Sequence, residues 1–298
     1  MHTQLSSFPR PMPSPASPSP IDRGHSVMGA GGTVVLLHSS LNSKNQWTSL
    51  AQRLAARFRV IAIDLHGYGD RDIPEAVDRF SLDDEVALVL ATTAPLVTPQ
   101  ERMHIVGHSY GGAVALRFAE RHPNRVASLA LYEPVAFYLL EADDPQRETV
   151  RTLADRVADL CAMKRTGDAA RTFVDFWNGD GFFAALPPPV QARLALRVGK
   201  VPLDFRAVFQ CPLRLEDCHA MKAPALLLEG RRSPAVTRHI VTLLGKALPD
   251  VKLDTLDGDH MAPAYANEAF NLRVERFLIA HENEGRGGRP RRVDAIAA

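Results

Sequence analysis

The stretch MHIVGHSYGGAVALRFAERHP, Met103 to Pro123, decides the reading of this chain. Within it, Gly107-His108-Ser109-Tyr110-Gly111 is a G-x-S-x-G pentapeptide between an apolar run and a helical pattern. A serine hydroxyl is a poor nucleophile in water. A sharp strand-to-helix turn with small flanking glycines exposes it to a base. The backbone N–H of the next residue, Tyr110, then faces the oxyanion that develops in acyl transfer. The same five residues could also form a glycine-rich turn with a chance serine, so context decides. Met103 to Val106 is short, apolar and β-prone. Ala113 to His122 has helical character and ends at Pro123. Strand, turn and helix are all present in order.

Outward from this stretch, strand-like runs alternate with helical ones: Thr33 to His38, Gln46 to Phe58, Arg59 to Leu65, Leu82 to Leu96, and Val126 to Tyr132. Alternation of this kind predicts an α/β fold with a mostly parallel sheet flanked by helices. Val34-Val35-Leu36-Leu37 and Val60-Ile61-Ala62-Ile63 are continuous apolar runs, as strands covered on both faces should be. From Pro134 to about Ala220 the pattern is helical, with Val150, Leu153, Val157 and Leu160 on one face. The strand and helix rhythm resumes at Ala225-Leu226-Leu227-Leu228, then Thr237 to Ala247, Val251 to Leu256, and a last helix from about Tyr265 to Ala280. We therefore expect a disordered Ser/Pro-rich leader over 1–30, a core formed by 31–134 and 221–281, an inserted helical lid over 135–220, and a disordered tail over 282–298.

Composition narrows the function classes. The chain of 298 residues carries 35 basic and 34 acidic residues and is 46% hydrophobic. So even a balance gives no pull toward nucleic acid or an anionic membrane. No segment is long and apolar enough to span a bilayer, and the leader lacks the apolar run of a signal peptide. Cys161, Cys211 and Cys218 have no metal-ligand spacing and an odd count, which fits free thiols in a reducing, cytoplasmic setting. No phosphate-cradling loop or metal constellation is visible. We expect no cofactor, no metal, and a small-molecule substrate as the partner, with homodimer formation left open.

Together these residues resemble the α/β-hydrolase fold family over roughly Thr33 to Ala280. His38-Ser39-Ser40 resembles the family's His-Gly-x turn. Asp64-Leu65-His66-Gly67-Tyr68-Gly69-Asp70 resembles its Asp-x-x-Gly-x-Gly-x-Ser segment, and Gly258-Asp259-His260-Met261-Ala262-Pro263 its Gly-x-x-His-x-x-Pro segment. The resemblance implies Ser109 as nucleophile, His260 as base, and an oxyanion hole from the N–H groups of Tyr110 and Ser40. Ser39 replaces the usual glycine, which would matter if that position requires positive φ.

The triad acid departs from the family pattern. Where Gly-x-x-Asp is usual, the chain reads Gly230-Arg231-Arg232-Ser233. Losing such an acid in a serine protease costs on the order of 10⁴-fold in turnover. Glu133, at the end of the run Val126 to Tyr132, is the best substitute, because some relatives place their acid there and the order Ser109, Glu133, His260 is kept. Glu133 could instead pair with a lid arginine or merely close the strand. Glu229 is a weaker candidate. Substrate contacts are expected from Ser39, His108, Met261 and Phe137. The leading expectation is a cofactor-independent serine hydrolase acting by acyl transfer on a small, largely apolar ester or related carbonyl compound. Two alternatives remain: a carbon–carbon bond hydrolase of diketone-type ring-fission products, and a non-catalytic small-molecule binder on the same fold.

Overall fold

A computed structural model describes residues 24–74, 77–265 and 267–285. Seven strands form one sheet: β1 (His25–Met28), β2 (Gly32–Leu37), β3 (Phe58–Ile63), β4 (Met103–His108), β5 (Val126–Tyr132), β6 (Ala225–Gly230) and β7 (Val251–Leu256). Their order across the sheet is β1-β3-β2-β4-β5-β6-β7. Only β1 runs antiparallel, against β3; the other pairings are parallel. The strand that ends in the G-x-S-x-G turn is therefore the central one.

The apolar runs behave as period-2 strands must when both faces are covered. Val35, Leu37, Ile61, Ile63, Ile105, Leu129 and Leu131 pack into one core layer. Their neighbours Val34, Leu36, Val60, Ala62, Val106, Ala130 and Tyr132 pack into the other. On the second face lie α1 (Thr48–Leu54) and α11 (Glu268–Ala280). On the first lie α2 (Leu82–Thr93), α3 (Tyr110–Arg121) and α10 (Ala235–Ala247).

Between β5 and β6 the chain makes six helices: α4 (Pro145–Ala162), α5 (Thr166–Asn178), α6 (Phe182–Ala185), α7 (Pro188–Arg197), α8 (Val201–Phe209) and α9 (Leu215–Cys218). Pro145 and Pro188 each stand at a helix start, where a missing N–H costs nothing. Buried Val150, Leu153, Val157 and Leu160 on α4 form the apolar face that the sequence spacing predicts.

Two boundaries differ from expectation. The leader expected to reach residue 30 ends sooner, because His25–Met28 pairs with β3 as an edge strand. At the other end Glu282–Gly285 forms a short 3-10 turn, and Glu282 pairs with Arg57 at 2.8 Å. The Ser/Pro-rich stretch from Ser6 to Pro20 and the arginine-rich residues 286–298 lie outside the described residues.

The turn after β4 requires its glycines. A Cβ on Gly111 would stand 2.3 Å from the carbonyl oxygen of Leu37 and 2.6 Å from that of His38. That close approach lets the Gly111 N–H donate to the His38 carbonyl at 3.1 Å, joining the turn to the loop after β2. Gly111→Ala should therefore cost about 1–3 kcal/mol or more, since backbone rather than a flexible side chain would have to yield. Gly167→Ala, on α5 with nothing within 4 Å of its Cβ position, should be neutral or slightly stabilising. Urea midpoints of the two variants give the comparison.

Candidate active site

Ser109 follows β4 with φ 54° and ψ −117°, a conformation that L-residues adopt only under constraint. Its N–H donates to the Tyr132 carbonyl at 3.0 Å, and its own carbonyl accepts from the N–H groups of Gly112, Ala113 and Val135. The strained serine is thus held by β5 on one side and capped onto α3 on the other. Glu133 follows β5 with φ 43° and is also strained. Its N–H donates to the Leu228 carbonyl on β6 at 3.0 Å.

The two strained residues meet a histidine. His260 Nδ1 donates to Glu133 Oε2 at 2.6 Å, and His260 Nε2 lies 3.0 Å from the Ser109 hydroxyl that donates to it. The second carboxylate oxygen, Oε1, accepts from the Gly230 N–H at 2.6 Å. Glu133 is 0% exposed, His260 1% and Ser109 6%. A carboxylate so buried must be hydrogen-bonded to persist, and both of its oxygens are. Ser233, in the turn after β6, is buried but not bonded to His260. Glu229 faces Thr255 at 3.3 Å.

A second chain of bonds lies behind these groups. Ser39 gives its N–H and its hydroxyl to Gln46 Oε1, at 3.2 and 3.0 Å. Gln46 Nε2 donates to His108 Nδ1 at 3.1 Å, and His108 Nε2 donates to the His260 carbonyl at 2.7 Å. This direction of donation requires neutral His108. Burial, with the neighbouring His260, holds its pKa well below the ordinary value. His38 is likewise neutral, pushed by burial down to about 4. Its Nδ1 donates to the Ser39 carbonyl at 2.8 Å, and its Nε2 accepts from the Leu65 N–H at 3.0 Å.

Beside Ser109 is a small cavity, with room for about 20 Å³. Its apolar walls are Val135, Phe137, Phe173, Trp177, Val201, Phe205 and Val208; its polar ones are Ser40, Tyr110 and Asp204. Trp177, from α5, stacks on the His260 ring with centroids 4.5 Å apart and planes 27° from parallel. An indole face in that position shields the imidazole from water.

Of the residues expected to touch substrate, Phe137 lines the cavity, whereas Ser39, His108 and Met261 do not. Ser39 and His108 point their polar atoms into the Gln46 chain instead, and Met261 belongs to the turn that carries His260. Positive φ in the loop after β2 falls at Leu41 (60°), not at Ser39, so the missing glycine carries no penalty. Trp177, Asp204 and Gln46 were not predicted as site residues. Among the described residues, no group of three or more His, Cys, Asp or Glu is placed to hold a metal ion. No helix among them is long and apolar enough to cross a membrane.

Comparison with known proteins agrees with the fold. A family model described as alpha/beta hydrolase fold matches residues 32–265. The chain belongs to the α/β-hydrolase fold family. Within this hydrolase family it is 39% identical over 260 residues to a pimeloyl-acyl-carrier-protein methyl ester esterase of Chromobacterium violaceum, covering 83% of this chain and 94% of that one. It is 27% identical over 277 residues to an uncharacterised protein of Mycobacterium tuberculosis, covering 87% and 79%. The crystal structure of a hydrolase from Pseudomonas aeruginosa PA01 superposes with a TM-score of 0.71 at 22% identity, covering 85% and 93%, which speaks for the fold alone.

As an α/β-hydrolase with His38 buried neutral, the protein should lose stability on acidification. The unfolded histidine takes a proton near pH 6.5, the folded one only near 4. This contribution is therefore absent above pH 6.5 and grows as pH falls toward 4. The urea midpoint of His38→Asn should fall less steeply across that window, by up to about one proton's worth of slope. Equal slopes would show that His38 protonates in the folded state.

Proposed function

We propose that this α/β-hydrolase is a cofactor-independent serine hydrolase that cleaves a small, largely apolar ester or related carbonyl substrate by acyl transfer. The observation that carries the reading is the unbroken series Ser109 hydroxyl, His260 imidazole and Glu133 carboxylate, at 3.0 and 2.6 Å, beside an apolar cavity. In this reading Ser109 Oγ attacks the substrate carbonyl while His260 Nε2 takes its proton. The imidazolium keeps its Nδ1–H on Glu133, which fixes the tautomer and offsets the new positive charge. The tetrahedral oxyanion accepts from the Tyr110 and Ser40 N–H groups. His260 returns the proton to the leaving alcohol, and a water molecule then hydrolyses the acyl-enzyme by the same steps.

The cavity supports a compact acyl group, since aromatic and aliphatic side chains supply seven of its walls. An esterase among the relatives at 39% identity supports ester cleavage over other carbonyl chemistry. The motive for a non-catalytic reading was the serine at position 233, and it weakens once Glu133 supplies a carboxylate to His260 Nδ1. We also infer a reducing, cytoplasmic setting from the free thiols of Cys161, Cys211 and Cys218.

A fluorophosphonate probe should label the protein, and Ser109→Ala should abolish labelling. With p-nitrophenyl esters graded by acyl length, Glu133→Gln should lower kcat on the order of 10⁴-fold, whereas Ser233→Ala should change it less than about twofold. The reverse ranking would place the acid elsewhere. Diketone turnover far above that of the esters would favour carbon–carbon cleavage.

A further inference from the structure

Lys200 and Glu85 are completely buried, Asp204 is 3% exposed, and nothing in the proposed chemistry uses any of them. Lys200 and Asp204 belong to the inserted helices, Lys200 just before α8 and Asp204 within it; Glu85 is on α2. Lys200 Nζ pairs with Asp204 Oδ1 and lies 3.3 Å from Glu85 Oε1. Three aromatic rings surround the same ammonium: Phe80 at 4.4 Å, Tyr110 at 5.0 Å and Tyr68 at 5.2 Å.

Two of the groups attached to this cluster bear on the reaction. The Ser40 hydroxyl donates to Asp204 Oδ2, as does the Tyr68 hydroxyl. The Tyr110 hydroxyl donates to Glu85 Oε1 at 3.2 Å. Ser40 and Tyr110 are the two residues whose backbone N–H groups would form the oxyanion hole. Both side chains are thus tethered to one buried set of three charges, two of which the inserted helices contribute.

Burying such a set is a poor way to gain stability, because desolvation offsets most of the attraction and an apolar replacement is often as stable. What fixed charges with directional bonds supply is position. The loop carrying Ser40 has reason to need it, since Leu41 is held at φ 60°. An oxyanion donor works only if it already points where charge develops.

We propose that Asp204 and Lys200 are positioning residues for the oxyanion hole, so that seating of the inserted helices over the cavity and completion of the hole are one event. This rests on the serine-hydrolase reading above. Asp204 acts through Ser40, and Lys200 with Glu85 acts through Tyr110. Neither needs to touch substrate.

The test compares Ser40→Ala, Ser40→Thr, Asp204→Asn, Tyr110→Phe and the double variant Ser40→Ala/Asp204→Asn with the wild type. Turnover of p-nitrophenyl butyrate is normalised to sites titrated with fluorophosphonate. Ser40→Ala keeps its N–H and loses only the tether, so kcat should fall about tenfold, less than the 10²–10³-fold lost with a whole donor. KM should stay within about threefold. Asp204→Asn should match it, and the double variant should be no worse than the worse single, because the two act in series. Affinity for an aryl trifluoromethyl ketone, whose adduct places an oxyanion in the hole, should fall by the same factor as kcat/KM. Ser40→Thr should recover most of the loss. Wild-type kcat and ketone affinity in Ser40→Ala and Asp204→Asn, with only a lowered Tm, would overturn the proposal. Should Asp204→Asn fail to fold, Ser40→Ala and Tyr110→Phe decide it in the same way. A wild type without Ser109-dependent turnover would instead remove the reading on which the proposal stands.

Discussion

Glu133 is a carboxylate with no exposure to water, held between two donors that come from different parts of the chain. Gly230 offers its N–H from the end of β6, and His260 offers Nδ1–H from the loop after β7. A buried anion with one oxygen unsatisfied would cost several kcal/mol, so both donors must arrive for the C-terminal edge of the sheet to close. The parallel pairing of β5, β6 and β7 brings them there, since it aligns the strand ends at one edge. The unusual backbone of Glu133, at φ 43°, is the local cost of turning the carboxylate toward that edge. Ser109, strained in the same sense on the neighbouring strand, then needs only the far side of the imidazole.

The position of Glu133, the proposed acid, has a structural consequence for the turn at Ser109. Ser109 donates its N–H to Tyr132 and accepts at its carbonyl from Val135, the residues on either side of the Glu133-Pro134 pair. Ser109 and Glu133, the proposed nucleophile and acid, are therefore fastened to each other through backbone, not only through His260. An acid after β6 would be held to the serine through the histidine and the β5 strand between them. The shorter linkage suits a site in which the usual acid position is a serine.

Elements carried by local pattern were legible in the sequence. Continuous apolar runs gave β2 and β3 because each strand feeds both core layers, and the strand, glycine and helix order around Ser109 gave the turn. Glu133 could be named because it closes an apolar strand after which some members of the family that the chain resembles place their acid. What stayed hidden depends on contacts between distant segments. Asp204 and Lys200 look like an ordinary i,i+4 pair on a solvated helix, yet Asp204 meets Ser40 across 164 positions and Lys200 meets Glu85 across 115. Trp177 reads as one more helical aromatic until α5 lays it on His260. His108 sits in the variable position of the pentapeptide, and only the fold shows that its ring faces Gln46 and the His260 backbone rather than the cavity. The edge strand β1 was lost for a simpler reason: four residues next to a Ser/Pro-rich stretch give periodicity too little length to register.

The enclosure of the site bears on how its polar cluster is built. Ser109 is 6% and His260 1% exposed, and α5 and α8 supply Phe173, Trp177, Val201, Phe205 and Val208 to the walls beside them. A purely apolar seam under those helices would expose hydrophobic surface whenever it opened, and would close without regard to register. Lys200 and Asp204 behave differently. If the inserted helices lift as the proposal requires, both charges regain water, which compensates the bonds they lose. Seated as proposed, the ammonium must meet Glu85 and three ring faces at once, and Asp204 must meet two hydroxyls. Many directional partners satisfied in a single arrangement make the seated state specific without making it deep, as the proposed coupling of helix seating to the oxyanion hole requires.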